Sequence, residues 1–189
     1  MPVRLSVNLN KVALIRNARG SNHPDLIQFA KDCEEFGAQG ITVHPRPDER
    51  HVRFGDLPLL KEVVTTEFNI EGNPTPHFIQ QVLEVKPHQV TLVPDAPDAL
   101  TSDAGWDTIK YKDFLTDVIF QFKKSGIRVS LFIDPDNELI AGAKELGLNE
   151  SDAMTLTIQT IVGAAQLLDE SGKTPTKLRE NVTSPNGTT

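Results

Sequence analysis

The chain has 189 residues, a single cysteine and a formal net charge of −7. That length supports one domain with a real core, yet falls short of the ~250 residues typical of an eight-unit βα barrel. The acidic balance argues against nucleic acid or an anionic membrane as main partner. The lone Cys33 rules out a disulfide framework and fits a reducing cytoplasm. No apolar run approaches the roughly 18 residues of a membrane span, and Met1 leads almost at once into the first strand. The Asn-X-Ser/Thr triplets at Asn149, Asn181 and Asn186 therefore carry little weight as glycosylation sites.

Five apolar, β-branched runs each end on a polar or acidic residue, and segments of helical period separate them. The first strand runs from Leu5 to about Asn10 and is followed by a loop, Arg16-Asn-Ala-Arg19-Gly20. A helix then starts through His23-Pro24-Asp25 and is closed by Gly37. Strand two covers 40–44 and leads into Pro45-Arg46-Pro47-Asp-Glu-Arg50-His51, too rich in proline for helix. A short helix over Leu57–Val64 precedes strand three, Phe68–Glu71. Pro74 and Pro76 open a helix over Phe78–Val85, and Val90–Asp95 is strand four. Residues 94–107 form a long aperiodic loop, of a kind that compact domains usually keep for function. The helix Lys112–Ser125 stops at Gly126, strand five closes on Asp134, and a helix over Asn137–Leu146 is capped by Gly147.

After residue 148 the alternation stops. Met154, Ile158, Ile161, Ala165 and Leu168 form one apolar helical stripe, and the rest is a polar tail to Thr189. Strands alternating with helices imply a parallel α/β sheet with its chemistry at the C-terminal strand ends. The fold expected from the residues is an open five-stranded α/β sheet or a partial βα barrel, then a helix and an irregular tail. In this reading the stripe of residues 151–171 covers the open barrel edge.

His44 stands at a strand end, where an imidazole can exchange protons near neutral pH. The alternative is a histidine that merely serves a loop carbonyl. Glu71 ends an apolar strand, where desolvation would raise its proton affinity and suit it to acid/base work, unless an arginine pairs with it. Asp134 has similar placement, but Asp134-Pro-Asp136-Asn137 reads better as a turn and helix start. Arg16, Arg19, Arg46, Arg50 and Arg53 lie in loops near the catalytic end, and guanidinium forks suit phosphate. Salt bridging is the better reading for Arg50 and Arg53. No glycine-rich nucleotide fingerprint and no metal-spaced His/Cys cluster is present, so neither a cofactor nor a metal is expected.

Several ordered motifs carry a family resemblance over residues 1–147. They are Val7-Asn8-Leu-Asn10-Lys11, Arg16-Asn-Ala-Arg19-Gly20, Gly40-Ile-Thr-Val-His44-Pro-Arg46-Pro-Asp-Glu-Arg50-His51, Phe68-Asn-Ile-Glu71, Lys86-Pro-His-Gln-Val-Thr-Leu-Val-Pro94 and Val129-Ser-Leu-Phe-Ile-Asp134. This part resembles the pyridoxine 5′-phosphate synthase family of TIM-barrel enzymes in vitamin B6 biosynthesis. The resemblance implies condensation of 1-deoxy-D-xylulose 5-phosphate with 3-amino-2-oxopropyl phosphate. It implies His44 and Glu71 as proton-transfer residues and Asn8 and Arg19 as contacts to the amino ketone. Asn10, Lys11, Arg46, His51 and Thr101 would contact the sugar phosphate.

Residues 148–189 resemble instead the C-terminal segment of the pyrroline-5-carboxylate reductase family, through Gln159-Thr-Ile-Val-Gly163-Ala-Ala-Gln-Leu-Leu168 and Leu178-Arg-Glu-Asn-Val-Thr-Ser-Pro185-Asn-Gly187-Thr-Thr189. The partners expected are small phosphorylated molecules and further copies of the chain, with neither nucleic acid nor membrane. Two other readings stand beside catalysis: a non-catalytic phosphate-binding or assembly protein, and a tail that acts as a dimerisation element.

Overall fold

The computed structural model describes residues 4–95 and 104–148, together with Gly172 and Thr174. Residues 1–146 form one compact unit and 147–189 another. In the first unit five strands pair in parallel and in chain order: β1 (Ser6–Asn8), β2 (Gly40–Val43), β3 (Glu67–Gly72), β4 (Gln89–Leu92) and β5 (Arg128–Leu131). A doubly wound sheet reverses its strand order at a switch point, whereas a barrel winds one way. The unreversed order 1-2-3-4-5 is the TIM-barrel type. In the second unit, the helix expected over 151–171 and the tail to Thr189 lie outside the described residues, Gly172 and Thr174 apart.

Strand alternation gives the sheet two unlike faces. Ile41, Val43, Phe68, Ile70, Val90 and Leu92 are completely buried on the outer face. The helices that follow the strands turn apolar stripes to the core: α2 (Leu26–Glu35), α3 (Asp56–Val63), α4 (Pro76–Val85) and α5 (Lys112–Lys124). In α4 the buried residues are Phe78, Val82 and Val85, at i, i+4 and i+7, which is one helical face. The other sheet face is polar. Ser6 Oγ lies 2.8 Å from Thr42 Oγ1, Asn69 Nδ2 donates to Thr42 Oγ1 at 3.3 Å, and Thr91 Oγ1 donates to Asn69 Oδ1 at 3.0 Å. This ladder crosses four strands, and its Thr42 and Asn69 lie two residues before His44 and Glu71 on the same face.

Most element positions follow the sequence reading. Asp25 caps α2 by accepting from the Ile27 and Gln28 amides, Thr75 caps α4, and Asp136 caps α6 (Asn137–Glu145). Gly37, Gly126 and Gly147 all have positive φ just after helices, as C-terminal caps do. Two expectations need correction. Strands one, four and five stop at Asn8, Leu92 and Leu131, short of Asn10, Asp95 and Asp134; Asn10 already opens α1, and Pro94 has no N–H for the ladder. The supposed loop over 16–20 is mostly helix: α1 spans Asn10–Arg19, with Gly20 as its left-handed cap. Its apolar stripe is weak because the two positions it buries are Ala13 and Arg16.

At the end of β3 backbone and ring come very close. A Cβ on Gly72 would fall within 2.9 Å of Phe78 Cδ2, Cε2 and Cζ, and that ring is only 3% exposed. Gly72→Ala is therefore expected to destabilise the fold by about 1–3 kcal/mol, as overpacking does. A urea denaturation midpoint equal to that of the parent would contradict this.

At the opposite end of the strands, Glu34 of α2 ties down the turn before β3. Its carboxylate accepts from the amides of Thr65 and Thr66 and from both hydroxyls. Desolvation pushes its proton affinity up, but the Thr66 and Thr65 hydrogen bonds outweigh that and hold it below the ordinary carboxylate value. Because the folded value is lowered, this contribution is present above the ordinary value and is lost as pH falls through the folded one. Glu34→Gln is expected to shift the thermal midpoint down at pH 7 and to narrow its gap to the parent at acid pH.

Candidate active site

β2 and β3 deliver the two candidate proton-transfer groups side by side. The last rung between these strands pairs Val43 with Ile70, so His44 and Glu71 stand one step further on, across a strand spacing of roughly 5 Å. Glu71 itself is paired with Thr91 of β4. The His44 main chain is fixed from α1: its N–H donates to Asn10 Oδ1 at 2.8 Å. Asn10 is held in turn, its own N–H donating to Asn8 Oδ1 at 2.9 Å.

The environments push these two groups in opposite directions. His44 is only 6% exposed. Desolvation first, then the Arg46 charge, lower its pKa from 6.5 to about 4, with Asp95 opposing and His51 and Arg50 adding to the fall. Glu71 is raised from 4.5 to about 7, chiefly by desolvation and secondly by the like charge of Asp95. At neutral pH the imidazole is thus a free base, while the carboxyl is protonated about half the time. Groups separated in this way by their surroundings make an acid/base pair.

Arg46 is also buried, and its guanidinium donates to Asp95 Oδ2 at 3.0 Å, both side chains being 7% exposed. Asn73, two residues past Glu71, donates to the Asp95 carbonyl at 2.6 Å. These contacts close a narrow recess beside His44, lined by Pro45, Arg46, Asn73, Thr75, Phe78 and Asp95. Burial first, then the charges of Arg50, Arg46 and Lys11, lower the His51 pKa against the opposing Asp48, and among the described residues its buried Nδ1 has no hydrogen-bond partner.

The structure thus gathers His44, Glu71, Arg46 and Asn10 at one end of the sheet, with Lys11 and His51 in electrostatic range of that group. Arg19 is placed differently: exposed at the last position of α1, it stands about 13 Å along the axis from Asn10. Thr101 lies outside the described residues. Arg16, read from sequence as a loop cation for an anionic substrate, is a buried helix residue paired with Asp56 at 2.8 Å. Asp134 accepts from the Gly105 amide at 3.3 Å, and Asp136 caps the helix, in line with the turn reading.

Sequence reasoning gave no role to Asp95, Asn73 or Asp56. Asp95 carried the same signal as Glu71, an acid at the end of an apolar run, and could have been found by it. Among the described residues no group of three or more His, Cys, Asp or Glu side chains could hold a metal ion, and no helix is long and apolar enough to cross a membrane.

A parallel βα sheet wound one way in chain order, with buried titratable groups at neighbouring strand ends, is a βα-barrel-type architecture. Residues 5–160 match the family described as "Pyridoxal phosphate biosynthesis protein PdxJ", and the chain belongs to that family. It is 60% identical over 152 residues to a pyridoxine 5′-phosphate synthase of Cytophaga hutchinsonii, covering 80% of this chain and 64% of that protein. A synthase of the same name from Christiangramia forsetii is 58% identical with the same coverage, and one from Flavobacterium johnsoniae is 53% identical over 181 residues, covering 89% of this chain and 76% of that protein. The chain therefore spans a little under two thirds of the length of the first two.

Proposed function

We propose that this chain carries the pyridoxine 5′-phosphate synthase reaction of vitamin B6 biosynthesis, condensing 1-deoxy-D-xylulose 5-phosphate with 3-amino-2-oxopropyl phosphate and releasing inorganic phosphate and water. The observation that supports it most is the placement of His44 and Glu71 on adjacent strand ends, where burial shifts their titration in opposite directions. Imine formation, phosphate elimination and ring closure all need protons moved at carbon next to a carbonyl or imine. In this reading His44, unprotonated at neutral pH, accepts them, and Glu71 returns them.

Asn8 and Arg19 contact the amino ketone in this proposal. Asn10, Lys11, Arg46, His51 and Thr101 contact the sugar phosphate. The Asn10 carboxamide oxygen already serves the His44 amide, so its NH2 is the group left for substrate. Arg46, its guanidinium oriented by Asp95, meets the phosphate in this reading.

On the acidic charge and single cysteine the reading extends to the cytoplasm, without nucleic acid or membrane partners, and it includes association into a homo-oligomer. For residues 148–189 it retains the likeness to the pyrroline-5-carboxylate reductase C-terminus, carried by the Leu178–Thr189 motif, as a helical association element.

The test mixes the purified chain with both phosphorylated substrates and follows pyridoxine 5′-phosphate and inorganic phosphate. Turnover lost in His44→Ala and in Glu71→Ala is the expected result. Soluble, folded protein that binds the sugar phosphate without turnover would replace this proposal with the phosphate-binding one.

A further inference from the structure

The segment between β2 and α3 carries Arg46, Arg50 and His51, yet it has little regular structure of its own. It turns at Glu49, a non-glycine residue with φ of +51°, a conformation that surroundings must enforce. Part of its order is local: Glu49 N–H donates to the Arg46 carbonyl at 2.9 Å, and Phe54 N–H to Glu49 Oε1 at 2.9 Å. The rest comes from α1. Asn17 Nδ2 donates to the carbonyls of Glu49, Arg50 and His51 at 3.1, 3.0 and 2.7 Å. One carboxamide therefore collects three successive backbone acceptors.

The carboxamide cannot turn away without cost, because its oxygen is held as firmly as its nitrogen. Asn17 Oδ1 accepts from Arg16 Nε and NH2 at 3.2 and 3.1 Å, so the NH2 group faces the loop. Arg16 is itself locked by a bidentate pair with Asp56, at 2.8 and 2.9 Å. Asp56 sits in the first turn of α3 and also accepts the Arg53 N–H at 2.8 Å, pinning the far end of the same loop. A continuous polar strut thus runs from α3 through Arg16 and Asn17 to the backbone beneath Arg50 and His51.

We propose that Asn17 is a positioning residue: its grip on the 49–51 carbonyls sets the placement of His51 for binding a phosphorylated substrate. The assignment rests on the phosphate-binding part of the function proposed above. Asn17 touches no substrate; it acts through the backbone that carries the binding side chains.

Two variants of the full chain test this. Asn17→Asp keeps an acceptor for Arg16 but turns a second oxygen against three carbonyls, so the fold is retained while the loop is repelled. Asn17→Ala removes both interactions. Glu34→Gln, at the other end of the barrel, is the control for general loss of stability. Amide exchange over residues 49–54 is measured with and without inorganic phosphate, and phosphate affinity is titrated. In both Asn17 variants loop exchange is expected to quicken at least tenfold and the phosphate Kd to rise at least tenfold, whereas the control leaves both unchanged. If turnover is present, KM for the sugar phosphate rises while kcat stays within about threefold.

Unchanged loop exchange, unchanged phosphate affinity, or a parent chain that binds no phosphate overturns the assignment. A parent that binds phosphate in an Asn17-dependent way but condenses nothing overturns the proposed activity and leaves this assignment standing.

Discussion

Replacing Glu71 by glutamine is expected to cut kcat/KM by about 10²–10⁴-fold, the usual worth of a positioned proton-transfer group. In the parent, kcat/KM should rise through about pH 4 as His44 becomes the free base and fall through about pH 7 as Glu71 loses its proton. The variant should lose the upper limb and keep the lower one. A limb near 7 that survives the substitution would assign that proton to another group.

The same substitution has a stability signature that does not depend on turnover. The folded Glu71 pKa is raised from 4.5 to about 7, so its stabilising contribution is complete below 4.5 and is lost as pH rises through about 7. At 1.36 kcal/mol for each pH unit, the full swing is about 3 kcal/mol. His44 behaves oppositely: its folded pKa is lowered from 6.5 to about 4, so its contribution is present above 6.5 and is lost as pH falls through about 4. Between pH 4.5 and 6.5 the two slopes cancel, and the parent should show a flat urea midpoint there as far as these groups are concerned. Glu71→Gln should expose the His44 slope, losing stability on acidification, and should gain on the parent above pH 7. Parallel curves for parent and variant would contradict the burial of this carboxyl.

Asp56→Ala is expected to be the most damaging single change to the fold. It strips Arg16, which is 4% exposed, of its bidentate carboxylate and leaves the Arg53 amide without its acceptor. Removing one partner of a buried ion pair costs about 3–5 kcal/mol, chiefly because the remaining charge stays desolvated. For a chain of this size that corresponds to a thermal midpoint lower by roughly 6–20 °C. Asp56→Asn, which keeps an acceptor for Arg16, should lose clearly less. Equal midpoints for the two variants would mean that the charge at this position decides and the retained shape and acceptor do not.

The βα rhythm was legible in the sequence because strand and helix periods differ and because Asp25, Thr75, Asp136 and the glycines after the helices mark the boundaries. Helix α1 was not, since a helix whose buried face is an alanine and an arginine gives almost no apolar period. His44 and Glu71 could be singled out as polar residues closing apolar runs, a property of order along the chain. The rise of Glu71 by desolvation was legible in the same way; the fall of His44 was not, because it arises from the burial of the imidazole and from the Arg46 charge that folding holds beside it.

The arginines show the same division. As residues they are interchangeable guanidinium forks; in space Arg16 is spent on Asp56, Arg46 is held by Asp95, and Arg19 stands exposed at a helix end. Asn17, the hinge of the proposed strut, carries no sequence signal at all, since its partners lie 32–34 residues further along the chain. The sequence by itself determined the alternation of elements and the residues at the strand ends, because local period and capping are written in consecutive positions. Only the tertiary structure decided which charges are neutralised, which are desolvated and which loop is held, because those depend on partners that are distant in sequence and meet only once the sheet has formed.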